Sequence, residues 1–497
     1  MVGVQSLDER GAIGLVRDNI RESSLNPDGF YNYGYLLHTI AYWLLQWLGA
    51  LGFHRDQVSV VAFATRFICL ISYLGLLVAF HLSLRNWTSP WIRWLFTLGL
   101  GATKSFFFWS LITHPDTLQA LLVYCAFWTL ASGRAGFSRL TLAAVLSGLS
   151  FGSKASGIFS LVLLATWWSV TQLLGRASTS GQETVIRILK GGVLVAVVFT
   201  TVWLAVNPTV LSQWDHFADD MAFEQSHLAY GHGKKETANL TVWLKLWWAD
   251  LGRVTALLCL VGLGGLLTRS NSGDRATRLV DPSILAAIVY CVVAFGFLLL
   301  TVDMARSRYL MHLTPFLLFL GAVGTAQLFR TFHRWHSVFS LGSLVVALMQ
   351  WGHVSQVASQ AAGRHMVYSS PLLEAGRWVA THYPATTRVI FESYSYLPEG
   401  AFQNSVRTGH LGHAVLKRGR YRVAVLNANA SARYNWKRSG TKFGDEDFKL
   451  GKADGADDAQ KFHRWLISKK SGWKVVYEND VVVVFEQKKK PNPKPQL

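Results

Sequence analysis

Ten long apolar runs follow one another between residues 58 and 357, at 58–83, 91–112, 116–133, 139–152, 156–174, 187–206, 246–268, 282–301, 309–329 and 337–357. A helix that crosses a bilayer needs about 20 apolar residues. The pattern therefore predicts an all-α polytopic membrane protein with about ten transmembrane helices. The pair 139–152 and 156–174 is short and interrupted at Phe151-Gly-Ser-Lys-Ala-Ser-Gly157. Small and basic residues at membrane depth are tolerated where the backbone lines a cavity or meets the surface. Residues 33–52 are apolar too, but His38 and Gln46 interrupt them and Tyr and Trp recur along them. That mixture predicts an interfacial juxtamembrane helix, not a span.

The period changes after residue 357. Ser370 to His382 reads as an amphipathic helix and Asp457 to Ser468 as a second. Short β-rich runs at Thr387–Phe391, Tyr421–Leu426, Trp473–Tyr477 and Asp480–Phe485 read as strands. The expected organisation is a polar and juxtamembrane segment at 1–57, a transmembrane domain at 58–357, a small soluble α/β domain at 358–487, and a disordered basic tail at 488–497.

Composition supports the membrane class. The 497 residues are 51% hydrophobic and 15% charged, against about 25% charged in soluble domains. Cys69, Cys125, Cys259 and Cys291 all fall in apolar runs, so neither a disulfide framework nor a zinc site is expected. The net charge of +19 fits basic cytoplasmic loops better than nucleic acid, which is not expected as a partner. Counting spans from Val58, alternate loops carry Arg85 and Arg93; Arg134 and Arg139; Arg176, Arg187 and Lys190; Arg269, Arg275 and Arg278; and Arg330 and Arg334. These loops are assigned to the cytoplasm. The opposite face then receives residues 1–57, His114 to Asp116, Gly152 to Ser156, the loop 207–245, Asp303 to Arg308, and everything after 357. The polar residues suited to chemistry all fall on that face.

Asp8 and Glu9 are adjacent carboxylates able to act as general base or to hold a metal, or to do no more than start a solvated helix. Asp116, after His114-Pro115, is either an N-cap or a second acidic site, with His114 as ligand or hydrogen-bond donor. Lys154, at the break between two short spans, neutralises a phosphate or snorkels to the surface. Arg306, Arg308 and Tyr309 open a span on the same face, where Arg suits bidentate phosphate contacts or anchors the interface. Lys104 falls inside the run 91–112 and receives no role. The loop 207–245 holds Glu224, His227 and His232 at spacings that match no metal motif. It is expected to cover the site with polar contacts, His232 among them. No ligand set follows from spacing, and a divalent cation stays open as a cofactor.

The ordered set resembles the GT-C superfamily of membrane glycosyltransferases, which includes the protein O-mannosyltransferases and the aminoarabinose transferases of lipid A. The likeness rests on Asp8-Glu9, on the Pro/Tyr/Gly-rich approach to a juxtamembrane helix ending near Leu51-Gly52-Phe53, and on a span carrying Arg66. It continues through the Pro-Asp start at Asp116, Gly148-Leu-Ser-Phe-Gly-Ser-Lys154, Asn207-Pro208, and Arg308-Tyr-Leu-Met-His-Leu-Thr-Pro315. The resemblance covers residues 5–330. It implies inverting transfer of a sugar from a polyprenyl-phosphate donor to a glycan, lipid or protein acceptor on the outer face of a membrane. A bacterial inner membrane is the expected setting. By the same resemblance Asp8 is the base, with Glu9 beside it. Asp116 is a second acidic site, and Lys154 and Arg308 hold the lipid phosphate. The family carries a transmembrane helix ahead of its Asp-Glu loop. Only six residues precede Leu7 here, so either the true start lies upstream or that helix is lacking. The alternatives are a transporter or flippase of lipid-linked saccharides, and a non-catalytic protein of the same fold.

Overall fold

The structure is a computed structural model. It describes residues 7–25, 34–133, 136–175, 180–230, 239–267, 281–302 and 305–331, and scattered positions from 342 to 359. In the C-terminal part it describes 371–392, 395–398, 400–408, 416, 420–427, 465, 466, 468, 471–479 and 482–487. One compact unit holds the helices up to residue 361, and a second lies after it.

In the first unit α1 (Leu7–Glu22), α2 (Leu36–Ala50) and α3 (Val58–Ser83) lead into α4 (Pro90–Gly101) and α5 (Lys104–Ser110). Then come α6 (Asp116–Ala131), α7 (Phe137–Ser153), α8 (Ser160–Leu174), α9 (Gly181–Val206), α10 (Trp214–Tyr230), α11 (Leu240–Leu251) and α12 (Arg253–Leu267). Pro282–Thr301 forms α13 and Thr314–Thr331 forms α14. Helix α3 shows the inside-out pattern of a membrane helix. Its buried face carries Val61, Thr65, Ile68, Cys69, Ser72, Leu76 and Phe80, at the spacing that stacks side chains on one side of a helix. Its exposed face is wholly apolar: Phe63, Phe67, Ile71, Leu74, Val78 and Leu82. The polar atoms turn inward because lipid cannot hydrogen-bond them.

Among the described residues four helices are long and apolar enough to cross a membrane: Val58–Asn86, Ala155–Leu174, Gly181–Val206 and Pro282–Thr301. A fifth results if α11 and α12, bent by 116°, are counted as one broken span. For four of the other six predicted runs the source of the difference is identifiable. The run 91–112 divides into α4 and α5 at Ala102-Thr103, and α6 is an apolar helix of 16 residues. The run 246–268 bends at Gly252, whose φ of +78° lies in the left-handed region that glycine adopts freely. Most of the run 337–357 lies outside the described residues.

Helices α12 and α14 meet backbone to backbone. A Cβ on Gly262 would lie 1.9 Å from the Gly321 carbonyl oxygen, and one on Gly324 would lie 1.8 Å from that of Gly262. Small residues allow this approach, as in other membrane helix pairs. An aromatic cluster ties α6 to the last two helices, with Phe127 to Phe316 at 5.2 Å, Phe127 to Phe319 at 4.9 Å and Tyr290 to Phe316 at 4.5 Å between ring centroids.

The loop expected at 207–245 contains helix α10 instead, so its covering role is not that of an extended loop. In the second unit residues 371–382 are helical. The strands are β1 (Val389–Glu392), β2 (Ser405–Thr408), β3 (Val423–Asn427), β4 (Trp473–Glu478) and β5 (Val482–Gln487). They form one sheet in the order β2-β1-β3-β5-β4. The pairs β1–β2 and β1–β3 are parallel, and β3–β5 and β4–β5 are antiparallel. The expected helix at 457–468 and the tail at 488–497 lie almost wholly outside the described residues.

Candidate active site

Asp116 is the centre of a buried ionic cluster. Pro115 takes the N-cap position, and Asp116 is the first residue of α6, with no cap hydrogen bond from its side chain. Its carboxylate is instead gripped from two sides. The Lys154 ammonium donates to Oδ1 in a short contact, and His114 Nδ1 lies 2.8 Å from Oδ2. Asp116 and His114 are 2% and 1% exposed, so water screens neither. Lys154 reaches Asp116 because α7 stops at Ser153 and Lys154 is extended, with φ −160° and ψ 141°. The chain then turns through the 3-10 segment Ala155–Phe159. An ammonium bound to a buried carboxylate is not snorkelling.

Arg308 completes the cluster. It sits in the 3-10 turn Ser307–Leu310 ahead of α14, with Nη1 3.5 Å from His114 Nε2. Its guanidinium carbon lies 5.5 Å from the Trp109 ring centroid and 5.4 Å from that of Tyr309. Lys154 Nζ lies 5.5 Å from the same Tyr309 ring, so one buried aromatic ring serves both cations. The Trp109 and His114 rings approach to 4.7 Å. Burial holds the His114 imidazole below its ordinary pKa, against the opposing pull of Asp116. A neutral ring protonated on Nδ1 then turns its N–H side toward Asp116 Oδ2 and presents Nε2 to Arg308. One carboxylate against the Lys154 ammonium and the Arg308 guanidinium leaves the cluster one positive charge in excess. It is suited to an anion, and a phosphate above all.

The loop 111–115 is fixed from behind. Thr65 and Thr113 hydroxyls lie 2.6 Å apart, and Cys69 Sγ donates to the His114 carbonyl at 3.2 Å. Ser153 Oγ donates to the Pro115 carbonyl at 3.3 Å, and Gln119 Nε2 to Ser156 Oγ at 2.7 Å. His312, four residues after Arg308, is buried between the rings of Phe159 and Tyr290 at 6.4 and 6.2 Å.

Asp8 and Glu9 occupy the first turn of α1, and their side chains lie outside the described residues. The same helix is tied to the Lys154 turn through its other end. Tyr35 donates its hydroxyl to Asn19 Oδ1 at 2.6 Å and its backbone N–H to Asn207 Oδ1 at 3.2 Å. Gly34 lies so close to Gly152 that a Cβ there would sit 2.2 Å from the Gly152 carbonyl oxygen. The structure therefore gathers Asp116, His114, Lys154, Arg308 and Tyr309 into one cluster. Arg306 is exposed at the start of its turn. His232 lies outside the described residues, as does the side chain of His227. Among the described residues no three or more His, Cys, Asp or Glu side chains are grouped to hold a metal. Sequence reasoning missed Trp109 and His312. The only signal for either was its spacing, five residues before His114 and four after Arg308.

No family model matches this chain, and no curated protein matches it in sequence. Solved structures do match. ArnT from Cupriavidus metallidurans bound to undecaprenyl phosphate aligns over 98% of this chain and 94% of its own, at 12% identity and a TM-score of 0.62. The apo state of the same protein aligns over the same shares, at 13% identity and a TM-score of 0.55. The oligosaccharyltransferase AglB from Archaeoglobus fulgidus, in complex with an inhibitory peptide and a dolichol-phosphate, aligns over 88% of this chain and 67% of its own, at 12% identity and a TM-score of 0.55. The chain is an integral membrane protein with the fold of these solved structures.

Proposed function

We propose that the protein is a glycosyltransferase that moves a sugar from a polyprenyl-phosphate donor to an acceptor at the outer face of a membrane, with inversion at the anomeric carbon. The observation that carries this is the buried Asp116–Lys154–His114–Arg308 cluster, with its single excess positive charge. It occurs on a fold whose solved examples hold undecaprenyl phosphate and dolichol-phosphate. Ten passes, with the broken helices α4–α5 and α11–α12 each counted as one, would put this cluster and the second unit outside a bacterial inner membrane. The basic loops opposite support that orientation.

In this mechanism the donor phosphodiester, with its one negative charge, rests against Lys154 and Arg308. The acceptor attacks the anomeric carbon from the face opposite the phosphate. The bond from that carbon to the phosphate oxygen breaks, and the polyprenyl phosphate leaves with the electron pair. Asp8 takes the acceptor proton, and Glu9 orients the acceptor. As the second charge develops on the leaving phosphate, the two cations stabilise it. Asp116 and His114 hold those cations in place before the reaction, so no reorganisation is needed when the charge appears. Tyr309 supplies the apolar floor beneath them. No step requires a metal, although Asp8 and Glu9 could share a divalent cation.

The test uses purified protein in proteoliposomes with polyprenyl-phosphate-linked sugars as donors. Arg308→Ala should lower transfer roughly 10²- to 10³-fold, the scale seen when a transition-state charge loses one donor. Asp8→Asn should abolish it while the protein still binds undecaprenyl phosphate. Full transfer by both variants, or movement of entrapped donor across the bilayer without a new glycosidic bond, would refute the enzyme.

A further inference from the structure

The break between α4 and α5 puts the N-terminus of a helix inside the transmembrane unit. Tyr73 donates its hydroxyl to the Gly101 carbonyl, and its ring stacks on Phe106 at 6.3 Å. The break is therefore level with Tyr73, eight residues along α3 from the Thr65 that touches the site loop. At about 1.5 Å per residue that is roughly 12 Å deeper than the cluster. The first amides of α5 have no helical partner there, and lipid offers none.

Asp250 fills that need from another broken element. It is the penultimate residue of α11, two residues before the bend at Gly252, and is 4% exposed. Its Oδ1 accepts the Ser105 amide at 2.8 Å, and its Oδ2 accepts the Ser105 hydroxyl in a 2.5 Å contact. Lys104 is close enough to act on it electrostatically. A carboxylate at this depth is expensive to keep, and an ionisable group inside a membrane unit points to a functional demand. Helix α5 shows what the demand is. It is only two turns long, and its last turn presents Trp109, the ring that packs on His114 and lies under Arg308.

We infer that Asp250 is a positioning residue: by capping α5 from α11 it sets Trp109, and through Trp109 the orientation of His114 and Arg308. Two broken helices are locked to each other so that the phosphate-binding cations sit on a fixed wall. The consequence for lipid phosphate rests on the function proposed above; the mechanical link from Asp250 to Trp109 does not.

The experiment uses full-length protein in lipid nanodiscs, labelled with 5-fluorotryptophan at its 20 tryptophans, with the Trp109 resonance assigned by Trp109→Phe. Undecaprenyl phosphate is the binding probe. Asp250→Ala should move or broaden the Trp109 fluorine signal and weaken undecaprenyl phosphate about tenfold, the scale of one lost charged hydrogen bond. Asp250→Asn, which keeps an acceptor for the Ser105 amide, should restore the signal and most of the affinity. Ser105→Ala keeps the amide contact and removes the hydroxyl one. It should shift both readouts the same way by less, and it carries the test if Asp250→Ala does not fold. An Asp250→Ala protein that melts earlier but keeps the wild-type fluorine signal would overturn the inference, as would an Asp250→Asn protein indistinguishable from Asp250→Ala. If the fluorine signal moves while Lys154→Ala and Arg308→Ala still bind undecaprenyl phosphate normally, the positioning role stands and the lipid-phosphate assignment falls.

Discussion

Two carboxylates in this protein are each held by two basic side chains, and they differ in almost everything that decides what such a pairing is worth. Asp116 is 2% exposed against Lys154 at 15%, with His114 on its other oxygen. In the second unit Glu486 accepts from Lys474 at 3.0 Å and from Arg422 at 3.4 Å, but those partners are 53% and 49% exposed. Water and salt screen the second arrangement and leave it worth at most about 1 kcal/mol. In the first, each partner is there to prevent the other from being an uncompensated buried charge. The buried set is thus a poor device for stability and a good one for holding cations rigidly where an anion is to be bound. The exposed set is an ordinary sheet surface.

The largest effect that would sharpen this contrast is the removal of Asp116. Asp116→Ala leaves Lys154 against a buried site with no counter-charge, which should destabilise the first unit by about 3–5 kcal/mol. Thermal unfolding of the purified protein in detergent would show it. The double variant Asp116→Ala with Lys154→Met removes both charges and should recover much of that loss without recovering transfer. If Asp116→Ala is as stable as wild type, the cluster is not the desolvated pair that its geometry describes.

The same contrast explains what could be read in advance. In the second unit Val389–Glu392 and Val482–Gln487 are short, β-branched apolar runs buried on successive residues, a signal that single segments carry by themselves, so four of the five strands were visible in the sequence. Strand β2, Ser-Val-Arg-Thr at an edge, lacks the apolar pair that announces a strand and escaped notice. In the first unit the break before Lys154 was visible from its Gly and Ser residues, and the basic loops led to the expectation that Asp116, Lys154 and Arg308 share one face. The pairing of Asp116 with Lys154, 38 residues away, was not, because no periodicity links a helix start to a distant turn. Helix α10 was missed because its mixed composition shows no apolar face. The division of one apolar run into α4 and α5 was missed because hydropathy averages over a break that only packing reveals.

A middle-sized effect concerns the tie between α1 and the Lys154 turn. Tyr35→Phe removes the hydroxyl that Asn19 accepts at 2.6 Å and leaves the ring in place. It should cost about 1–2 kcal/mol locally, through a buried acceptor that loses its donor. Transfer should fall about tenfold if Asp8 is the base. Hydrogen exchange in peptides spanning α1 should rise with no change around Asp116. Unchanged exchange in α1 would mean that this bond does not anchor the helix.

The smallest effect belongs to Glu486 and is a matter of pH. The hydrogen bond from Lys474 leads the influences that lower its carboxyl below the ordinary 4.5, with Arg422 adding to it. A carboxylate with a lowered folded value stabilises the fold fully above its unfolded value, and the stabilisation fades as pH falls through the folded one. Glu486→Gln should therefore increase exchange of the β5 amides relative to wild type at neutral pH, by no more than the few-fold that about 1 kcal/mol allows. The ratio of the two proteins should approach one only as the pH falls through the lowered folded value, where the wild-type carboxylate is itself protonated. Exchange read from β5 peptides of the full-length chain, as a ratio at each pH, cancels the intrinsic pH dependence of amide chemistry. A ratio that stays constant into acid would show that Glu486 acts through packing. It would then differ from Asp116 in kind as well as in degree, because only the buried carboxylate would owe its effect to charge.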